Sequence, residues 1–234
     1  MPDFLLSIER SSPRGGFALY RDGSLLLSRP FEAGLPRSPA WFTDIVDALN
    51  HVEGLAPDSP ISYLVGTGPG SFSGIRSVIA ALQGLAMPRN RPVLGLSSAA
   101  AAARELAVSR GAGTVSIVGD ARRGRAWHAT YDLAGDGTLR LHATGAAPSH
   151  TPADFSLVPY PGLAAALPAG APVASAEISR VRSLLATIPA ALVVEEDLCA
   201  TAESLAALYF SNPAAAIRDP VPVYLQPAVA TSAS

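Results

Sequence analysis

The sequence predicts an α/β protein built from two related halves. Apolar residues make up 49% and charged residues 15% of the 234 residues, so the chain can fill a hydrophobic core. The first part has the pattern of three strands followed by alternating helices and strands, and a second strand meander opens near residue 115. The order of elements is thus repeated without a sequence repeat. We place the two halves at residues 1–105 and 106–234.

Strand and helix periodicities define the elements of both halves. Ser38 followed by Pro39 is typical of a helix start. In the first half we predict strands at 4–8, 17–20, 25–29, 61–65 and 92–96 and helices at 39–51, 73–87 and 98–110. In the second half we predict strands at 115–119, 126–131, 139–144 and 191–195, helices at 178–188 and 201–210, and a loop with one short helix at 145–172.

Composition and charge exclude several kinds of chemistry. The net charge is −2 and all 17 basic residues are Arg, so a catalytic Lys, a Schiff base and the Lys of a P-loop are absent. A direct nucleic-acid binder usually carries a basic excess, which this chain lacks. A single cysteine, Cys199, excludes a disulfide within the chain. The opening residues lack a basic stretch and no uncharged apolar run reaches about 18 residues, which predicts a cytoplasmic protein without a membrane span.

The histidines give no sign of a metal site. His51, His128, His142 and His150 stand apart, and no two are four residues apart. That spacing on a helix is what lets two imidazoles share one metal ion. The spacing of Ser, His and Asp residues supports no nucleophilic triad either. We therefore assign no metal ligand and no catalytic residue.

The segment GTGPGSFSGIR at residues 66–76 joins a predicted strand to a predicted helix. Its glycines permit close approach of another group, and the N–H groups at the start of a helix attract anions. The candidate residues of a nucleotide- or anion-binding loop are Gly68, Gly70, Ser71, Phe72, Gly74 and Arg76. The alternative is a tight strand–helix turn capped by Ser71 or Ser73, because the P-loop, GxGxxG and GxSxG patterns all fail here.

A cluster of arginines lies in the turn after Asp120. Arg122, Arg123 and Arg125 form either a solvated charged turn or a small patch that binds an anion or a partner. Trp127 alternates with Arg125 and is expected to pack in the sheet.

The segment at 66–76 resembles the GxGPGSFTGxR signature of the TsaB (YeaZ) family, which acts in tRNA threonylcarbamoyladenosine biosynthesis. Further landmarks agree in order along residues 4–227: FLLSIERSSPRGGFALYRDG, PVLGLSSAAAAA, VGDARRGRAWHATY and the closing PVPVYLQP. The resemblance implies an actin-like ATPase (ASKHA, ribonuclease H-like) fold of two related halves.

Several positions depart from the family pattern. Glu9 stands where the family has Asp, a carboxylate that helps to organise Mg²⁺ and phosphate in the wider superfamily. Arg10 replaces the following Thr and is placed to neutralise Glu9. The later Gly-rich turn is replaced by VASAEISRV at 173–181, and the closing Arg is Gln226. These departures bear mainly on whether the chain binds a nucleotide.

The resemblance implies a non-catalytic scaffold subunit that binds and stabilises a catalytic, metal-carrying TsaD-like paralogue, with a TsaE-like ATPase joining the pair. It implies only indirect contact with tRNA and no resident cofactor, and it allows ATP or ADP at the partner interface.

Two alternative functions remain open. One is a stand-alone small ATP-dependent phosphotransferase of the sugar-kinase-like superfamily. The other is a metallopeptidase homologue, against which the missing histidine pair argues.

The helix predicted at 73–87 has two different faces. One face carries apolar residues at helical spacing that are expected to be buried: Ile75, Val78, Ile79, Leu82, Leu85 and Ala86. The other face is nearly flat, and Gly84 within a helix costs about 1 kcal/mol unless something must come close. We predict that a partner binds a face made of Trp41, Ala48, Arg76, Ser77, Ala80, Ala81, Gly84 and Met87. Without the partner, the same face is expected to join two copies of the chain in a homodimer.

Overall fold

The structure is a computed structural model that describes residues 4–31, 40–52, 54–56, 59–148 and 151–225. The chain divides into two compact units. The first contains Met1–Arg104 and Cys199–Pro222, and the second contains Glu105–Leu198 and Val223–Ser234. The predicted division at 1–105 and 106–234 differs in one respect, because Cys199–Pro222 belongs to the first unit and supplies it with a helix and a strand.

The helices and strands follow one another along the chain in a mixed order. They are β1 (Phe4–Glu9), β2 (Gly16–Arg21), β3 (Ser24–Pro30), α1 (Ala40–Asn50), β4 (Ile61–Gly66), α2 (Phe72–Ala86), β5 (Val93–Leu96), α3 (Ser98–Arg110), β6 (Thr114–Arg122), β7 (Arg125–Leu133), β8 (Leu139–Leu141), β9 (Ser156–Pro159), β10 (Val173–Ala174), α4 (Ile178–Val181), α5 (Ala202–Ser211) and β11 (Ile217–Arg218). None of the helices in the described ranges is both long and apolar enough to cross a membrane.

The first unit is built on a mixed sheet with the strand order β11-β5-β4-β1-β2-β3. β1 runs parallel to β4, and β4 runs parallel to β5. The β1–β2–β3 meander is antiparallel, as the turn residues at 11–16 and 22–23 predicted. Helices connect the parallel strands because a parallel pair needs a long crossover.

Both faces of β1 are buried, and alternating side chains place one hydrophobic core of the first unit on a single face of this sheet. Phe4, Leu6 and Ile8 of β1 lie on that face and pack against α1 and α2. Both helices are amphipathic, so each buries one apolar side. The α2 residues in this core are Ile75, Val78, Ile79, Leu82 and Ala86, with Leu85 half-buried beside them, as predicted.

Helix α5 belongs to the first unit because it packs against β1 and β2. The Ser7 hydroxyl donates to the carbonyl oxygen of Ala202 at 2.7 Å, and both groups are buried. The ring of Tyr20 meets that of Phe210 edge to face with centroids 5.2 Å apart. The contact between Ser7 and Ala202 spans 195 residues of sequence, so periodicity within α5 could not predict it.

The second unit contains a sheet with the order β10-β6-β7-β8, and β9 also pairs with β7. β6 and β7 form a long antiparallel hairpin, as predicted. Its core combines Val118 and Ala126 from this hairpin with α4 and the segments around it. The ring of Trp127 packs edge to face on Phe155 at 5.5 Å, which confirms the prediction that it packs in the sheet.

Several predictions for the second unit were wrong. The helix predicted at 178–188 is only one turn, Ile178–Val181, followed by a 3-10 segment at Arg182–Leu185. The strand predicted at 191–195 is a 3-10 turn with one isolated bridge between Val193 and Val173. Strand β9 lies in the region predicted as a loop. Short apolar runs do not distinguish these states, because their burial depends on distant partners.

Candidate functional site

Three parallel strands of the first unit end at the same edge of its sheet. Glu9 is the last residue of β1, Gly66 is the last of β4, and Ser97 follows β5. In α/β proteins the carboxyl ends of parallel strands are the usual location of ligand sites. The segment GTGPGSFSGIR therefore begins at the edge where a site would be expected.

Glu9 is completely buried at this edge. Its Oε1 atom accepts a hydrogen bond from the backbone N–H of Ser11 at 2.5 Å, and its Oε2 atom accepts one from the hydroxyl of Ser98 at 2.8 Å. Ser11 and Ser98 were missed by sequence reasoning, although their position just after two strands was a usable signal. Both carboxylate oxygens thus have partners within the protein.

Burial raises the pKa of the Glu9 carboxyl above its ordinary value, because a charged form is disfavoured away from water. The hydrogen bonds from Ser11 and Ser98 act in the opposite direction without cancelling the effect. A carboxyl with this environment is poorly suited to hold a solvated Mg²⁺ ion, which prefers exposed carboxylates and keeps several waters.

The glycines of the loop are explained by close packing against the end of β1. A Cβ atom on Gly66 would lie 1.9 Å from Oε2 of Glu9, and one on Gly70 would lie 2.2 Å from the carbonyl oxygen of Ser11. A Cβ atom on Gly74 would lie 2.3 Å from the carbonyl oxygen of Arg10. A larger residue at Gly70 or Gly74 would push against the backbone, and one at Gly66 would displace the side chains of Glu9 and Ser98. No ligand is needed to account for these glycines.

Several N–H groups of the loop are already bonded within the protein. The N–H of Gly68 donates to the hydroxyl of Ser98 at 3.1 Å, and that of Ser71 donates to the carbonyl oxygen of Ser11 at 2.7 Å. The N–H of Gly74 donates to Oγ of Ser71 at 3.2 Å, so Ser71 is the helix cap and Ser73, the other candidate, is not. This geometry shows that the capped turn forms without a ligand, and nucleotide or anion binding by the loop stays a prediction.

Arg10 does not carry out the neutralisation expected of it. Its Cζ atom lies 4.8 Å from the ring centre of Trp41, and its Nη1 atom donates to the hydroxyl of Ser77 at 3.2 Å. The guanidinium is therefore directed towards α1 and α2. The charge of Glu9 is instead compensated by the hydrogen bonds of Ser11 and Ser98.

The outer face of α2 is open in the first unit. Ala80 and Gly84 are exposed, with Arg76 and Met87 at their flanks, and Ser77 and Ala81 are half-buried. A Cβ atom on Gly84 would meet nothing within 4 Å. We call this set the α2 face. The guanidinium of Arg76 lies 5.0 Å from the ring centre of Phe72, which is itself 49% exposed.

Two residues predicted for the interface have different surroundings. Ala48 is buried in the core of the first unit, so the prediction that it lies on an open face was wrong. It projects inward because it lies one helical turn from Ile45, which is also buried. Trp41 is half-buried against the same core, and only part of its ring remains available to a partner.

In the second unit, an ion pair and hydrogen bonds hold the turn that carries Arg122, Arg123 and Arg125. Arg122 and Asp120 form an ion pair at 3.0 Å, and the Tyr160 hydroxyl donates to Asp120 at 2.8 Å. The side chain of Arg125 donates to the carbonyl oxygen of Leu157 at 3.0 Å. These contacts favour a structural turn, although Arg123 remains exposed.

Metal-ligating side chains do not converge within the part of the chain that the structure describes, where no group of three His, Cys, Asp or Glu could hold an ion. His150 lies outside the described residues. Burial lowers the pKa of His128, which keeps that imidazole neutral at physiological pH.

Comparison with known proteins identifies the class to which this fold belongs. A family model described as TsaD: tRNA N6-adenosine threonylcarbamoyltransferase matches residues 41–204, more than two thirds of the chain. This match, together with the α/β architecture of the solved relatives, confirms the class of protein as one with the actin-like ATPase (ASKHA) fold.

The chain belongs to this family, and within it to the TsaB (YeaZ) members. The tRNA threonylcarbamoyladenosine biosynthesis protein TsaB of Escherichia coli (strain K12) is 28% identical over 127 residues, which are 54% of each chain. That match spans about half the length of the curated relative. The structure of YeaZ from Pseudomonas aeruginosa is 26% identical with a TM-score of 0.71, covering 96% of this chain and 100% of its own.

A second solved structure gives the same result. It is described as an uncharacterised protein with similarity to peptidase YeaZ from Pseudomonas aeruginosa, and it is 26% identical with a TM-score of 0.71. It covers 97% of this chain and 100% of its own.

Proposed function

We propose that this chain is a non-catalytic scaffold subunit in the biosynthesis of threonylcarbamoyladenosine in tRNA, and that it binds and stabilises a catalytic TsaD-like paralogue. The observation that supports this most is the α2 face, where one side of a well-packed helix is left open. The family membership supplies the pathway, since the curated relative is named for it.

The composition of the α2 face suits a helix–helix interface. Ala80 and Gly84 lack bulky side chains, so a partner helix can approach closely and little side-chain entropy is lost. Met87 is 77% exposed and Phe72 is 49% exposed, which adds apolar area at both ends of the face. Exposed apolar groups of this kind are common at sites of protein association.

The environment of Glu9 supports a non-catalytic role. Phosphoryl transfer relies on metal ions and positioned charges, whereas both oxygens of this buried carboxyl are bonded to Ser11 and Ser98. This arrangement also argues against the stand-alone phosphotransferase.

The proposal has four further parts. The pair recruits a TsaE-like ATPase, ATP or ADP binds at the partner interface, contact with tRNA is indirect, and the complex acts in the cytoplasm.

The test is complex formation with the purified TsaD-like paralogue on a sizing column. Ala80→Arg and Gly84→Arg place a long charged side chain in the middle of the α2 face and are expected to abolish co-elution. Val108→Arg is the matched control, since Val108 is an exposed apolar residue on another helix, α3. Circular dichroism checks that each variant is folded. If either α2 variant co-elutes at the wild-type ratio, the interface lies elsewhere.

A further inference from the structure

The side chain of Arg10 contacts α2, which carries the α2 face, and Trp41 of α1, which is also predicted for the partner interface. Its Cζ atom lies 4.8 Å from the ring centre of Trp41 in the first turn of α1. Its Nη1 atom donates to Oγ of Ser77, in the middle of α2, at 3.2 Å. The ring of Phe31 is a further neighbour, 5.8 Å from Cζ to the ring centre. We call Arg10, Trp41 and Ser77 the arginine clamp.

The backbone beneath the arginine clamp is tightly held. The carbonyl oxygen of Arg10 lies directly against Gly74, where an added Cβ atom would be 2.3 Å away. On either side, the carboxyl of Glu9 is buried and accepts the N–H of Ser11. The backbone of Arg10 is therefore fixed, and the guanidinium that extends from it contacts both helices.

The partners of the guanidinium are fixed as well. The ring of Trp41 packs edge to face on Phe31, with centroids 5.8 Å apart. The hydroxyl of Ser77 in turn donates to the carbonyl oxygen of Gly74 at 2.8 Å. Burial lowers the pKa of Arg10 but an arginine remains charged, so the cation is available to the face of the indole.

We propose that Arg10 is a positioning residue that fixes the start of α1 against α2 and so pre-organises the partner-binding surface. This inference rests on the proposed function. A surface made of two helices binds well only when both have the correct relative position, and fixing that position before binding reduces the entropy lost on association. Ser77 belongs to the α2 face itself, so the clamp connects directly to the residues that would contact the partner.

The experiment compares Arg10→Met with wild type for binding to the purified TsaD-like paralogue by calorimetry. Methionine keeps an unbranched apolar stem that reaches about as far as the Nε atom of arginine, and it removes the cation. We expect affinity to fall about threefold to thirtyfold, the range of a partly buried cation–π contact. Arg10→Lys should recover part of the loss, because it restores the cation but not the planar fork. Arg29→Met is the matched control, since Arg29 is exposed on the edge strand β3.

A double-mutant cycle with Trp41→Leu, which removes the aromatic face, separates positioning from a general loss of stability. If the clamp acts as proposed, the effects of Arg10→Met and Trp41→Leu on affinity are not additive, whereas independent structural effects would add. Should Arg10→Met fail to fold, Arg10→Gln, which also removes the cation, replaces it in the same cycle with the same expectation.

The outcomes distinguish this inference from the proposed function. If Ala80→Arg abolishes binding while Arg10→Met binds within twofold of wild type, or if the cycle is additive, the clamp is refuted and the proposed function stands. If the wild-type chain does not bind the paralogue at all, the proposed function is refuted, whatever the result for the clamp. The clamp is then judged by the same cycle on the free energy of unfolding, where additivity refutes it.

Discussion

A Cβ atom on Gly66 would lie 1.9 Å from Oε2 of Glu9. The glycine at the end of β4 leaves room for the side chain of Glu9, which is one methylene longer than the Asp of the family pattern. The Glu9 carboxyl is buried in this space and reaches Ser98. The first glycine of the family signature is thus used to accommodate a side chain of a neighbouring strand. This relationship leads to the first prediction.

Gly66→Ala is expected to lower the free energy of unfolding by about 1–3 kcal/mol, because the added methyl group overpacks a closed site. Urea denaturation followed by circular dichroism measures the change. Gly84→Ala is the control in open surroundings. It should raise stability by about 0.5–1 kcal/mol, since alanine is the better helix former. Equal stability of Gly66→Ala and wild type would show that the site can relax.

Glu9 is expected to make the protein less stable as pH rises. Its pKa is raised above 4.5 in the folded state, so the folded state binds more protons than the unfolded one. The stabilisation is then fully present below about pH 4.5 and is lost as pH rises through the folded pKa. The slope in that window is at most about 1.4 kcal/mol per pH unit.

Glu9→Gln removes this titration and should flatten the dependence of unfolding free energy on pH above about pH 4.5. Denaturant titrations at several pH values measure it. Glu196→Gln, at an exposed position of the second unit, serves as the control and should leave the wild-type slope in place. A variant at position 9 with the full wild-type slope would mean that another group is responsible.

Arg76→Ala is expected to weaken the complex with the TsaD-like paralogue by about 1–3 kcal/mol, as for a charged hydrogen bond at an interface. The stability of the free chain should change by under about 0.5 kcal/mol, because Arg76 is exposed. Calorimetry and thermal unfolding measure the two effects. Arg110→Ala, exposed at the end of α3, should change neither. Unchanged affinity would make Arg76 an ordinary solvated residue.

Thr201→Ala is expected to cost about 0.5–2 kcal/mol of stability, the usual value of a helix N-cap. Thr201 and Ser204 form a capping box, in which Oγ1 of Thr201 accepts the Ser204 N–H at 3.1 Å and Oγ of Ser204 accepts the Thr201 N–H at 2.8 Å. Thermal unfolding measures the loss. Ser211→Ala, at the other end of α5, should cost less than about 0.5 kcal/mol, and a similar cost at both ends would contradict a capping effect.

The sequence predicted the elements whose signals are local. The β1–β2–β3 meander follows from its turn residues, and α2 follows from its helical period. The residue type limited the cap of α2 to Ser71 or Ser73, and the structure selects Ser71. The GTGPGSFSGIR segment indicated the family for a similar reason, since all its information lies within 11 consecutive residues. In the second unit, the short segments around α4 carried no such local signal and were predicted poorly.

The tertiary structure decided what each side chain is used for. Glu9 and Ser98 are 89 residues apart, and Ser7 and Ala202 are 195 residues apart. Both pairs depend on which elements pack together, and periodicity within one element does not contain that information. The sequence alone thus established the family, the outer face of α2 and the absence of a lysine. Only the packing of distant segments showed that Gly66 makes room for Glu9, that Ala48 is buried, and that Arg10 contacts two helices.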